Sequence, residues 1–399
     1  MSKKIKLNEM KNVDRKLETP LFGRNAYVQL SPISQFLYDI TIDCVDYDYA
    51  NNYFKQRQVP INNSGCSVVC TDNFTGRDLD WFYNDCEFWV HTPACDGRYA
   101  SNGTASSVPG LTKQMVESGQ YLSAYNILPF FMVDGINEYG VYCSTNVVPE
   151  EKGNTTITIP TESKTAEISM NMVVRYVLDH YKTAQEAVED LQKHIAIYKT
   201  TGLKKVGYDA HYEIRDTQHK YVVEIIDNQV QYQEQPYITN FHCIGVTTNS
   251  DGKVYTPATQ DDSHNAYITN HITKHGSGLE RNVIVDNYNT ADNKENMVAL
   301  MKDSLNYKKA YSTFEEVSDP FWNTEFVGVN SHGDLCVDSP EADYDYIKQY
   351  TGQLFINRNR NQDKIGTHTT HTCIYDHIEH KTYFYDSSED GVEHIITDF

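Results

Sequence analysis

The sequence predicts an α+β protein in which antiparallel sheets are covered by helices. Two observations carry this. β-prone runs fold back as hairpins near residues 66–82, 220–233 and 370–385, and amphipathic helical stretches at 166–194 and 295–317 interrupt them. A third observation sets the domain count. The 399 residues contain no Pro/Gly/Ser-rich linker, so the economical division is an N-terminal segment, 1–65, followed by one folded unit, 66–399.

In chain order, residues 1–65 are polar, tyrosine-rich and weakly periodic, and Ser31–Ile42 (SPISQFLYDITI) reads as a short helix. Cys66–Cys70 (CSVVC) is a compact β-prone run. Thr71–Phe74 has turn chemistry, and Thr75–Phe82 alternates again, which makes a hairpin. Strands are expected at Ile127–Met132 and Gly140–Val148 around a turn at Asp134–Glu138. From Ala166 to His194 the period becomes helical, with Met170, Val173, Val174, Val177 and Leu178 on one face. Thr183 and Glu186 form a capping box for a second helix. Lys220–Ile226 with Val230–Gln233, and Thr370–Tyr375 with Thr382–Tyr385, are further hairpins, and Glu295–Val317 is a helix with Met297, Leu300, Met301 and Leu305 as its stripe.

Composition narrows the function. Hydrophobic residues at 39% and charged residues at 22% are ordinary for a soluble globular chain. The net charge of -21 repels phosphate backbones and argues against a nucleic-acid partner. The first twenty residues lack an apolar core for a secretory signal, and no run is long enough to span a membrane, so the expected location is the cytoplasm. Nine cysteines, irregularly spaced and without a Cys-x-x-Cys pair, read as free thiols.

One of those thiols has chemistry around it. Cleavage between Gly65 and Cys66 would leave Cys66 with its own base, a free α-amine whose pKa is about 8. The returning hairpin strand brings Arg77 and Asp80 nearby, one to stabilise a thiolate and one to orient the amine. Their i, i+3 spacing puts them on opposite faces of a regular strand, so a bulge or strand end is required. The bland alternative is that Cys66 is a packed core thiol and Arg77/Asp80 a solvated pair. Cys70 is a rival nucleophile, but it leaves too few residues before Arg77. His91 offers a Cys–His pairing that nothing in the sequence supports. His368, His371, His377 and His380 are close in sequence, yet i, i+3 strand spacing does not converge on a metal, and no metal or other cofactor is expected. Trp81 and Phe82, with Tyr83, Phe88 and Trp89, would line an apolar acyl pocket or simply pack a core.

The stretch GCSVVCTDNFTGRDLDWFY resembles the start of the mature chain in the choloylglycine hydrolase family, the linear-amide C–N hydrolases that include bile salt hydrolases and penicillin V acylases. Further blocks follow in the family's order: Asp134–Gly140 with Thr145–Pro149, Val222–Glu224 with Ile238–Phe241, Gly278–Arg281, and His371–Asp376. Thr248-Asn249 competes with Thr239-Asn240 at a less suitable distance, and Asp78 stands where the family more often has Asn. The resemblance implies a four-layer αββα N-terminal-nucleophile sandwich and a site of Cys66, Arg77, Asp80, Asn146, Asn240 and Arg281. It implies that Cys66 is freed by autocatalytic cleavage and then splits an N-acyl amide through a thioester, with Asn146 and Asn240 donating to the oxyanion. Acyl transfer to an amine, or an uncut binding protein, are the alternatives. A small-molecule N-acyl amide is the expected partner, and a homo-oligomer is compatible with the family.

Overall fold

The computed structural model describes residues 15–18, 25–32, 37–42, 45–56, 66–81, 87–95, 97–105, 126–149, 157–199, 208–240, 242–244, 247–248, 254–255, 291–301, 328–329, 335–336, 368–386 and 393–397. A ten-stranded sheet contains β1 (Arg15–Glu18), β2 (Asn25–Pro32), β3 (Leu37–Ile42), β6 (Glu87–Thr92), β7 (Ser101–Ala105), β8 (Met132–Asn137), β9 (Tyr142–Pro149), β12 (Tyr208–Arg215), β13 (Lys220–Ile226) and β14 (Gln229–Glu234), in that spatial order. A six-stranded sheet has the order β15 (Tyr237–Ile238), β4 (Cys66–Cys70), β5 (Phe74–Trp81), β20 (His368–Asp376), β21 (Lys381–Asp386) and β22 (Glu393–Thr397). Small two-stranded ladders join β10 (Ala166–Ser169) to β11 (Ile195–Tyr198), β16 (Thr247–Thr248) to β17 (Val254–Tyr255), and β18 (Gly328–Val329) to β19 (Leu335–Cys336).

Three cores show how the layers stack. One side of the ten-stranded sheet packs on helices α1 (Tyr47–Gln56), α2 (Val173–His180) and α3 (Ala184–Lys193). Ile40, Val90, Val141 and Val223 there meet Phe54, Val174, Leu178 and Leu191. Between the sheets, Trp89, Tyr142 and Val222 face Val68, Tyr375 and Phe384. On the far side of the six-stranded sheet, Val69 and Ile374 meet Met297, Leu300 and Met301 of a helix, α4, at 294–301. The result is helix, sheet, sheet, helix: the expected αββα sandwich.

Local chemistry explains most boundaries. Thr183 Oγ1 accepts the Glu186 N–H at 3.2 Å and starts α3, while the Glu186 carboxylate reaches back to the Lys182 N–H. The β13–β14 hairpin turns through Asp227 and Asn228, both left-handed with φ of 53° and 60°, residue types that tolerate this region. Gly140, at φ +81°, closes the β8–β9 connection.

Several expectations need correction. Ser31–Ile42 is not helical: its first two residues end β2, and Leu37–Ile42 is β3, where Tyr38, Ile40 and Ile42 repeat every second residue against the helix-side core. Leu128–Phe131 is a 3-10 turn with Pro129 near its start, so the strand begins at Met132; it then runs through Asp134–Asn137, and the turn lies at 138–140. Ala166–Ser169 is strand β10 rather than the start of a helix. The helix expected from Glu295 is present at 294–301, and its continuation lies outside the described residues. Within the N-terminal segment, β3 is an interior strand, paired antiparallel to β2 and parallel to β6, and Ala50 and Phe54 of α1 are buried.

Candidate active site

The antiparallel register of β4 and β5 sets Cys66 opposite Leu79 and Val68 opposite Arg77. Opposed residues share a face, so Cys66, Val68 and Arg77 all point between the sheets. On the other edge of β4, β15 pairs Ile238 with Val68. The chain leaving β15 therefore runs along the start of β4, and it carries Thr239 and Asn240 to Cys66. Asn240 Oδ1 accepts the Cys66 backbone N–H at 2.8 Å. That nitrogen would become the α-amine if the chain were cut before Cys66.

The facing strand β9 supplies Asn146. Arg77 reaches across to it, donating through Nη1 to Asn146 Oδ1, through Nη2 to the Thr145 carbonyl at 3.0 Å, and through Nε to Asp134 at 3.3 Å. The guanidinium is buried, which alone would favour its neutral form. Cys66 and Asp134 beside it outweigh burial and raise its pKa further, so it remains a cation. With Oδ1 committed to Arg77, the Asn146 amide points Nδ2 at the Thr239 carbonyl, 3.0 Å away, and at the Cys66 carbonyl, 3.4 Å away. Cys66, Arg77, Asn146 and Asn240 thus converge on one point, from β4, β5, β9 and the turn after β15.

Behind them stand residues that the sequence reading did not single out. His211, the register partner of Asn146 on β12, has its two ring nitrogens 3.1 Å from Glu224 and 2.8 Å from the Thr239 carbonyl. His211 thus bridges the Glu224 carboxylate and the Thr239 carbonyl. Glu224 also accepts the Cys243 and Ile244 N–H groups at 2.7 and 3.0 Å, clamping the segment that follows Asn240. Burial would raise the Glu224 carboxyl, but His242 and His211 hold it well below the usual carboxylate range. His211, Glu224 and Cys243 offer metal-ligand atom types within 4.8 Å of one another. Their hydrogen bonds already engage the imidazole and the carboxylate, and burial pushes the Cys243 thiol up, away from the thiolate that a metal takes. The only signal pointing to Glu224 was its place in a resemblance block; His211 had none.

The remaining expected residues divide. The Asp80 backbone pairs with Thr369, and the β5–β20 register shifts between Thr369 and His371, on β20 and not between Arg77 and Asp80 on β5. The Asp80 and Trp81 side chains, Phe82 and Arg281 lie outside the described residues. Phe88 and Trp89 are core residues on opposite faces of β6. Burial, with Glu213 nearby, pushes the Cys70 thiol up, which disfavours it as a nucleophile. His91 is paired with Asp39 at 2.9 Å, and His377 with Thr75 at 2.9 Å.

Fold and site together define an αββα sandwich with a thiol, an arginine and two asparagines gathered between its sheets. The family described as acyl-coenzyme A:6-aminopenicillanic acid acyl-transferase has a model matching residues 120–342, more than half of the sequence, and the chain belongs to that family. This upholds the resemblance to N-terminal-nucleophile relatives of choloylglycine hydrolase. Among solved structures, a mutant conjugated bile acid hydrolase from Clostridium perfringens is similar at 12% identity and a TM-score of 0.41, over 83% of this chain and 92% of that one. Penicillin V acylase from Agrobacterium tumefaciens is similar at 15% identity and a TM-score of 0.42, over 83% and 84%. No protein of curated function matches the chain. Among the described residues, no helix is long and apolar enough to cross a membrane.

Proposed function

We propose that the chain is a precursor that cuts itself before Cys66 and then acts on N-acyl amides through a Cys66 thioester. The observation that carries this is the hydrogen bond from the Cys66 nitrogen to Asn240, made beside Arg77 and Asn146. In maturation the Cys66 sulfur attacks the Gly65 carbonyl carbon, and the peptide nitrogen leaves as the new α-amine. Water then hydrolyses the thioester and frees the Gly65 carboxylate. In turnover the α-amine takes the thiol proton, the thiolate attacks the substrate carbonyl, and that proton departs with the leaving amine. Water releases the acid.

Arg77 supports the anionic sulfur, and Asn240 Oδ1 orients the α-amine. Asn146 Nδ2, engaged with main-chain carbonyls in the uncut chain, is the available donor for the oxyanion. Arg281 and Asp80 are assigned to the site from the family motifs, and Trp81 and Phe82 to an apolar acyl pocket. Because β3 and α1 are built into the larger sheet and its helix-side core, the 1–65 piece stays bound after the cut. The two fragments are expected to co-elute under native conditions and separate only in denaturant.

The family's description as an acyl-transferase favours a second reading, in which an amine rather than water takes the acyl group. Incubating the matured protein with a panel of N-acyl amides, with and without added amines, tests both. Free acid alone supports hydrolysis, and new amide in proportion to added amine supports transfer. Intact substrates, with no Cys66 acyl adduct by mass spectrometry, would reject both.

A further inference from the structure

Arg77 is not held by its site partners alone. Asp134 on β8 lies behind it at 3.3 Å, and behind Asp134 lie His371 on β20 at 3.9 Å and then Glu87 on β6, 2.8 Å from His371. All four side chains are essentially inaccessible to water. Read inward, acidic and basic side chains alternate: Glu87, His371, Asp134, Arg77. Cys66 is the next neighbour, close enough to act on Arg77 electrostatically.

The row is fixed from outside. Asp134 accepts from Thr104 Oγ1 at 2.6 Å, from the Thr104 N–H at 3.3 Å and from Tyr375 Oη at 2.5 Å, donors on β7 and β20. Tyr142 also faces it, from β9. Phe384 on β21 stacks on the His371 ring at 4.9 Å, and Cys373 is the titratable neighbour on the ring's own strand. Burial would strip the charge from both central members. Instead Glu87 foremost raises His371 well above the usual imidazole range, and His371 with Arg77 holds Asp134 below the usual carboxylate range. Isolated buried charges are costly, whereas each member of an alternating row faces a neighbour of opposite sign.

We propose that Asp134 and His371 are positioning residues that set the charge Arg77 presents to the Cys66 sulfur, through the buried row Glu87–His371–Asp134–Arg77. This rests on Cys66 being the nucleophile. Without the sulfur the row sums to zero, so a thiolate forms against a cation that is anchored yet balanced. Removing one member unbalances the row by a unit charge of known sign. Asp134→Asn leaves an excess positive charge, and His371→Gln an excess negative one.

The test is the pH dependence of Cys66 alkylation by iodoacetamide, read by peptide mass spectrometry on the full matured protein. Asp134→Asn is expected to lower the alkylation midpoint by about one pH unit, and His371→Gln to raise it by about the same amount. The double variant, neutral again, is expected to return close to wild type. Shifts in the same direction, or an unmoved midpoint in both single variants, would overturn the proposal, because a purely structural role gives no opposite signs. If either variant fails to mature, Glu87→Gln takes its place: the midpoint must fall, and no movement counts against the row. If wild type gives no Cys66 adduct at any pH, the nucleophile reading itself fails and takes the proposal with it. If wild type is alkylated but the variants do not differ from it, only the row fails.

Discussion

The two faces of the ten-stranded sheet were built by opposite rules. Its helix side is hydrocarbon: Ile40, Val90, Cys143, Ala210, Tyr212, Ile214 and Val223 pack on α1, α2 and α3, with Arg175–Asp179 as a buried ion pair beside them. Its inner side is studded with polar groups: Asp134, Ser144, Asn146, His211, Glu213, Arg215 and Glu224 are all inaccessible to water. Along β12 the two sets alternate residue by residue, His211, Glu213 and Arg215 inward, Ala210, Tyr212 and Ile214 outward. A strand with that pattern would ordinarily keep its polar face in water. Here a second sheet covers it, and the buried polar layer is where the candidate site lies. The contrast teaches that one face supplies stability while the other holds charge and hydrogen bonds in fixed positions.

Variants on each face should therefore fail differently. The largest effect is expected from Arg77→Leu, which strands Asp134 and Asn146 without their partner; breaking such a buried pair costs about 3–5 kcal/mol. Denaturant unfolding should show that loss, and maturation should stop with it. Leu178→Ala, on the helix face, is expected to cost about 3 kcal/mol of stability and leave activity per folded molecule unchanged. Equal losses of activity per folded molecule from both variants would break the comparison.

How much of this was legible in the sequence follows the same divide. The hairpins at Cys66, Lys220 and Thr370 and the stripe Met170–Leu178 could be read because apolar spacing matches the local period. Strand β7, Ser101–Ala105 (SNGTA), has almost no apolar content and could not. β3 was misread because the run Phe36, Leu37, Tyr38 hides its two-residue period. Cys66, Arg77, Asn146 and Asn240 were found through motif order. Asp134 stood out only as part of a block, and His371 only as the start of another block and as a candidate metal ligand. Their meaning depends on register: Arg77 meets Asp134 and His371 meets Glu87 across 57 and 284 residues of chain, and no local pattern encodes that.

pH should sharpen the contrast further, since the titrating groups sit between the sheets. Asp134 and Glu224 have folded pKa values below their ordinary ones of 3.8 and 4.5. The stability they contribute is present above that range and is lost as pH falls through their depressed values. His371 is raised above 6.5, so its contribution is present below that value and is lost as pH rises through the raised one. Thermal unfolding against pH should thus decline on both sides. Asp134→Asn should flatten the acid limb and His371→Gln the alkaline limb. An unchanged profile in both would count against the buried charges.

The smallest effect is expected from Glu213→Gln. Burial raises the Glu213 carboxyl above its ordinary 4.5, so stability is lost as pH rises past that value. The variant should match wild type near pH 4 and melt slightly higher near pH 8. A lower melting temperature at pH 8 would mean that Glu213 contributes as an ion.

The central claim is most directly tested by the intact mass and N-terminal sequence of the purified protein beside a Cys66→Ala variant. The account predicts a wild-type chain beginning at Cys66, with its 1–65 fragment still associated, and an uncut variant. An uncut wild-type chain that stays inert toward thiol-directed acylating probes would contradict it and leave a binding protein on the same fold.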